Sequence, residues 1–240
     1  MTTVLILGSG PDVVKCRDWD LSGVDQIVAI NNAWRVRPDW TVSIFPDDFP
    51  EARWPPNGAG RVVRSDEYVP AHTRFGGVVY AGGTMALTAS YWALDALAPT
   101  QMVYFGCDMV YAEAGPTHFY GAGTADPLRA DPTLQILEAK ARRLQAMAAR
   151  EGCALLNLSD GPSRLTFPRG GLGDVATPEP GDAGAVRRAL GLEEAARCFV
   201  ASGRYWEEAD RIDPAALREI DAAWLAAYDA EAPQAAMALT

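Results

Sequence analysis

The chain holds two histidines, His72 and His118, and one of them lies among other groups that can move protons. His118 follows Tyr111 and precedes Tyr120, in a segment between Cys107 and Asp131 that is rich in Gly, Pro and Tyr. An imidazole has the right unperturbed pKa for a general base near neutrality. A tyrosine hydroxyl can donate a hydrogen bond to a departing anion without help from a metal. Asp108, in Gly106-Cys107-Asp108, adds a carboxylate at the start of the same segment. A loop of this length in a compact domain is usually functional. The plainer alternative is an aromatic loop packed on the fold, with His118 merely hydrogen-bonded.

A second group could bind phosphate or a nucleoside. Gly8-Ser9-Gly10-Pro11 follows the first apolar run, where backbone N–H groups can point at an anion. The dinucleotide fingerprint is not completed: its third glycine would fall on Val13, and the second apolar run ends in Asn31-Asn32 where an NAD site wants an acid. No GxxxxGK[ST] loop is present either. Asn31 and Asn32 offer amide donors and acceptors, and the alternative for them is a turn pair, since Asn tolerates left-handed backbone. Asp47-Asp48 could ligate a cation or simply cap a loop. Asp18-Trp19-Asp20 spells DxD, but it falls too early in the chain to be more than coincidence.

These groups need elements to hold them. Short continuous apolar runs at Val4–Leu7, Gln26–Ile30, Trp40–Phe45, Met102–Phe105 and Ala154–Leu158 read as buried strands of a parallel sheet, with Arg61–Arg64 and Gly77–Tyr80 as two more. Gly or polar residues follow these runs, which is where open parallel sheets place ligands. Thr84 is suited to cap a helix running to about Leu97, apolar over most of its circumference and so deeply buried. Asp131-Pro132 reads as a cap and first turn of a second helix, ending at Glu151 before Gly152. Residues 159–182 hold five glycines and four prolines and read as a linker or an active-site flank. From Ala183 the chain is Ala-rich and helical, with a strong last helix from Pro214 to Tyr228.

Composition bounds the function. Of 240 residues, 49% are hydrophobic and 22% charged, which is ordinary for a globular protein. Lys and Arg total 21 against 31 acids, and the net charge of −10 argues against a general nucleic-acid binder. Four scattered cysteines without CxxC spacing argue against a disulfide framework or structural zinc and for a reducing compartment. With no apolar stretch near ~20 residues and no signal-peptide pattern, the expected location is the cytoplasm.

Taken together, VLILGSGP, the asparagine after the second strand, Gly82-Gly83-Thr84, and GCDMVY followed by HFYG resemble the family 42 bacterial sialyltransferases. The same pattern resembles a wider group that includes nonulosonate transferases and hydroxymethylpterin diphosphokinase-like proteins. The resemblance covers roughly residues 1–165. It implies a variant nucleotide-sugar transferase fold that is Rossmann-like: a three-layer α/β/α domain with a mostly parallel twisted sheet. We expect this nucleotide-binding α/β domain over 1–182 and a helical C-terminal appendage over 183–240.

By position, the resemblance assigns Gly8, Ser9, Gly10, Pro11, Asn31 and Asn32 to nucleotide binding, with Gly83, Thr84 and Asp108 also on the donor. It makes His118 the base and Tyr111 and Tyr120 the groups that stabilise the leaving phosphate. The family's insertion between its Gly-x-Asp motif and its histidine is longer than the stretch between Asp108 and His118 here, and Ala122 stands where its base often lies. The expected activity is transfer of a sugar, plausibly a nonulosonic acid such as sialic acid, from a CMP-type donor to a glycan or other hydroxyl acceptor. No metal and no further cofactor are expected; the oligomeric state is left open. Two alternatives stand beside it. One is a Mg²⁺-dependent diphosphokinase of a pterin-like alcohol using Asp108 and Asp47; the other is a nucleotide-binding protein without catalysis.

Overall fold

A computed structural model describes residues 1–111, 115–121, 131, 133 and 136–229. Six strands form one sheet: β1 Thr3–Leu7, β2 Gln26–Ile30, β3 Val42–Ile44, β4 Arg61–Val63, β5 Gln101–Phe105 and β6 Ala154–Asn157. Their order is β4-β3-β2-β1-β5-β6 and every pairing is parallel. The chain therefore builds outward from β1 in one direction, then returns to place β5 on the other side of β1. The crevice at the carboxyl ends of β1 and β5 is the topological switch point, where such sheets bind ligands.

Alternation along each strand makes two apolar layers. Val4, Ile6, Val28, Ile30, Met102 and Tyr104 face one core, together with α1 Ser65–Arg74, α3 Met85–Ala96 and α4 Leu137–Arg150. Leu5, Leu7, Ile27, Ala29, Val103 and Phe105 face the other, covered by 3₁₀ segments at Pro11–Asp18 and Asn31–Arg35. The three-layer α/β/α arrangement follows. As the sequence indicates, α3 is buried almost all round, with Ala86 through Leu94 enclosed and Thr84 capping it. Among the described residues no helix is long and apolar enough to cross a membrane.

Two expected elements differ. Gly77–Tyr80 is not a strand: Val78–Ala81 forms a short helix, α2, because Gly76 (φ 92°) and Gly77 (φ 94°) are left-handed and Gly77 O accepts from Tyr80 N and Ala81 N. Two successive left-handed residues break the extended run that the β-branched pair Val78-Val79 suggests. The helix expected to begin at Asp131-Pro132 begins at Leu137, after the extended Ile136. Asp131 does act as a cap, but for a local turn: Oδ1 accepts from the N–H and hydroxyl of Thr133. Pro132 and Leu134 lie outside the described residues, as do 122–130 and 230–240.

The C-terminal helices α5 Ala183–Ala196 and α6 Pro214–Ala226 share the first core, through Val186, Ala189, Leu217 and Trp224. Their attachment is also polar. Arg143 of α4 holds Glu193 of α5 at 2.7 and 2.9 Å, the Tyr91 hydroxyl at 2.8 Å and Phe75 O at 2.6 Å. Trp224 Nε1 donates to the same Glu193 carboxylate at 2.7 Å, and the Tyr80 hydroxyl donates to Glu193 O at 2.8 Å. Lys140, one turn earlier, donates to Val79 O, and burial depresses its pKa to about 8. A buried ion pair is tolerable only when saturated in this way. Glu193→Gln removes the counter-charge and leaves Arg143 enclosed. It should lower unfolding free energy by about 3–5 kcal/mol in urea titration; a loss under about 1 kcal/mol would mean that the guanidinium reaches water.

Candidate functional site

Three turns meet at the switch point. Beyond β1 the chain turns through Gly8-Ser9-Gly10, and beyond β5 through Gly106-Cys107-Asp108. The two are joined by backbone: Gly8 N–H donates to Phe105 O and Gly10 N–H to Gly106 O, both at 2.9 Å. A Cβ on Gly8 would lie 2.1 Å from Gly106 O, and one on Gly10 3.0 Å from it. Gly106 itself is left-handed (φ 70°), and its Cβ would meet Val13 at 2.8 Å. The glycines thus serve turn-on-turn packing, and two amides expected to face an anion already have partners. Ser9 points its hydroxyl toward Ile30 O at 3.4 Å, and Pro11 starts the 3₁₀ segment with no N–H to offer.

At the end of β2, Asn31 is left-handed (φ 52°), a backbone that asparagine tolerates in turns. Its side chain is another matter. Among the described residues, Oδ1 of Asn31 and Oδ1 of Asn32 are buried without a hydrogen-bond partner, and Asn32 is only 2% exposed. Asp108 behaves similarly: Oδ2 accepts from the Ser159 hydroxyl at 2.8 Å while Oδ1 is buried and unpaired. Native structures rarely leave such atoms orphaned, and each one calls for an explanation.

Gly83 (φ 109°) and Thr84 open α3 beside the β5 turn. The Thr84 hydroxyl accepts from Leu87 N at 3.4 Å and reaches Met109 Sδ at 3.3 Å. Met109 is left-handed as well (φ 54°), an uncommon conformation for a non-glycine residue. Helix cap and Asp108 turn are thereby tied together.

The aromatic loop lies against this group. Phe119 N–H donates to Ser9 O at 3.0 Å, and His118 and Gly121 exchange backbone bonds of 3.1 and 3.0 Å. The His118 ring stacks on Tyr120, 5.0 Å between centroids and 23° between planes, with Tyr111 at 6.1 Å. His118 is 8% exposed and Tyr120 37%. Burial lowers the His118 pKa from its ordinary value, so the ring is neutral at pH 7. Burial raises the Tyr111 phenol to about 12, so it remains a donor at any working pH. His118, Tyr111, Tyr120 and the β1 turn are therefore neighbours, as the sequence suggested. Asp126 to Arg129, in the same segment, lie outside the described residues.

Other candidates are placed apart. Asp47 follows β3, three strand positions from β5 and so about 14 Å away. Its carboxylate takes the Ser65 hydroxyl and the Arg64 guanidinium, which holds its pKa below the usual range. Asp18-Trp19-Asp20 ends the 3₁₀ segment after β1, with Trp19 packed on Phe105 and Asp20 accepting from Ser22 N. His72 is enclosed between Tyr68 and Tyr91, and burial takes its pKa to about 4. Among the described residues no three His, Cys, Asp or Glu side chains gather as a metal site would require.

Sequence reasoning missed Ser159, Met109 and Arg164. Arg164 donates its backbone N–H to Asp108 O at 2.9 Å, and its charge is felt at Tyr111. The signal was the Gly/Pro-rich stretch after β6, one of whose two readings was a flank of the site. Comparison of the chain with family models, curated proteins and solved structures gives no match.

The left-handed Asn31 suggests a cleaner probe than alanine, which would add backbone strain of about 1–2 kcal/mol. Asn31→Gly keeps the turn and deletes the amide. It should not lower the thermal midpoint and, where CMP binds at this edge, should weaken that binding several-fold, the worth of about one neutral hydrogen bond. Intact affinity in a calorimetric titration would reduce Asn31 to a turn residue.

Proposed function

We propose that this protein is a glycosyltransferase that moves a sugar, a nonulosonic acid in the leading reading, from a CMP-type donor to a hydroxyl acceptor without a divalent metal. The observation that carries the proposal is the seating of the His118 loop on the glycine turn, through Phe119 N–H to Ser9 O, at the switch point. A neutral base and two phenols thus border the position where nucleotides bind in this sheet class. The resemblance supplies the choice of CMP.

In this reading His118 takes the proton of the acceptor hydroxyl as its oxygen bonds to the anomeric carbon. The bond from that carbon to the phosphate oxygen breaks with its electron pair on CMP. Tyr111 and Tyr120 donate hydrogen bonds to that oxygen, where charge develops. The unpaired oxygens of Asn31, Asn32 and Asp108 suit hydrogen-bond donors on a nucleoside or sugar, an exocyclic amine or hydroxyl groups. The diphosphokinase alternative is weakened by geometry, since Asp47 and Asp108 stand three strand positions apart.

The test is turnover of CMP-nonulosonates with and without EDTA, beside a thermal-shift panel of CMP, CDP, UDP, GDP and ATP. His118→Ala should bind CMP like the parent and transfer at least about a hundredfold more slowly. Because burial lowers the His118 pKa, kcat/KM should rise with pH through a midpoint below 6.5 and be level above pH 7. Near-parental turnover of His118→Ala would remove the base; CMP binding with no turnover of any donor would favour the non-catalytic alternative.

A further inference from the structure

One polar contact of the loop is not used by the reaction as drawn. Thr117 Oγ1 lies 2.9 Å from His118 Nδ1. Neutral imidazole carries one N–H, and which nitrogen holds it is set by the bond that the other ring nitrogen makes. A hydroxyl can serve either way, as donor or as acceptor.

The surroundings fix much of the ring. Its main chain is clamped on both sides, by the paired bonds with Gly121 and by Phe119 N–H on Ser9 O. Stacking on Tyr120 fixes the plane of the imidazole. What these contacts leave undetermined is a half-turn about the Cβ–Cγ bond, a soft torsion for histidine that keeps the ring plane but puts a ring carbon where each nitrogen had been. Only a hydrogen bond to one ring nitrogen removes that ambiguity. The titratable rings against His118 are Tyr111 and Tyr120, and among the described residues no carboxylate is bonded to it. A carboxylate partner would favour the charged ring; a hydroxyl orients the ring without adding charge, in keeping with a base that must start neutral.

We propose that Thr117 is a positioning residue that accepts from His118 Nδ1–H, so that the lone pair of Nε2 is the base of the transfer. This rests on the reading of His118 as that base. During transfer the acceptor's O–H bond breaks and its proton joins Nε2, while the oxygen's electron pair forms the bond to the anomeric carbon. The ring becomes imidazolium, retains Nδ1–H on Thr117, and gives the Nε2 proton to water once products leave.

The chain's two histidines make the test direct. A two-dimensional ¹H–¹⁵N spectrum of the imidazole nitrogens at pH 8 shows two rings, and the ring missing from His118→Gln identifies His118. The expected result is an Nδ1–H tautomer for His118 in the parent and in Thr117→Ser, with a mixed or Nε2–H ring in Thr117→Val. On CMP-sugar, Thr117→Val should lose about ten-fold in kcat at unchanged CMP affinity, and Thr117→Ser should recover it. An Nε2–H ring in the parent overturns the proposal, and so does a Thr117→Val protein with parental tautomer and kcat. The spectrum needs no turnover, so it decides the tautomer even where the transfer reading fails. Parental turnover in His118→Ala would defeat that reading separately.

Discussion

The structure depends on a contact made by backbone alone, between the turns that leave β1 and β5. Gly8 N–H to Phe105 O and Gly10 N–H to Gly106 O prolong strand pairing past the last residues of both strands. At 2.1 Å from where a Gly8 Cβ would sit, Gly106 O admits no side chain. Closing the turns in this way fills the space between them. It also turns Ser9 O outward as an acceptor, and that oxygen receives Phe119 N–H. The same closure presses Gly106 on Val13 and sends the chain into the left-handed Met109, whose thioether the Thr84 hydroxyl holds. The two turns, the His118 loop and the cap of α3 are therefore linked through one pair of hydrogen bonds.

Charge is arranged to complement this. A protein of net charge −10 has no general field to attract a phosphate. The two basic side chains buried on α4 face away from the sheet edge in function: Lys140 binds carbonyls and Arg143 binds Glu193, Tyr91 and Phe75 O. What borders the switch point, beside the Asp108 carboxylate, includes two groups that burial biases toward their uncharged forms, His118 and Tyr111. Neutral donors inside a partly dry site are worth more than they would be in water. That suits stabilisation of charge which appears only in the transition state.

Legibility in the sequence follows the range of the interactions. β1, β2 and β5 could be read because parallel strands buried on both faces appear as unbroken apolar runs. The cap of α3 was also local and could be read at Thr84. Val78-Val79-Tyr80 misled because β-propensity is a packing preference, and the glycine pair before it decided the backbone. Asp131 has cap chemistry that the fold uses for a turn six residues before the helix. The cluster of His118 with its tyrosines was visible as composition. Its supports were not: Asp108 meets Ser159 across 51 residues of chain and Thr84 meets Met109 across 25.

Asparagines that end strands differ within this molecule in how their side chains are engaged. Asn157 also ends a strand, β6, and its side chain is fully engaged: Oδ1 accepts from Ser159 N at 3.0 Å and Nδ2 donates to the Ser163 hydroxyl at 3.0 Å. That is what an asparagine does when its task is to shape a turn. Asn31 and Asn32 end β2 with both Oδ1 atoms enclosed and unmatched, and Asp108 Oδ1 shares their edge of the sheet. An unmatched buried acceptor costs about 1–3 kcal/mol. At Asn32 stability alone would favour an apolar replacement, since a side chain without the oxygen carries no such penalty, whereas at Asn31 the left-handed backbone offsets that gain. A ligand that brought hydrogen-bond donors to this edge would recover that energy on binding.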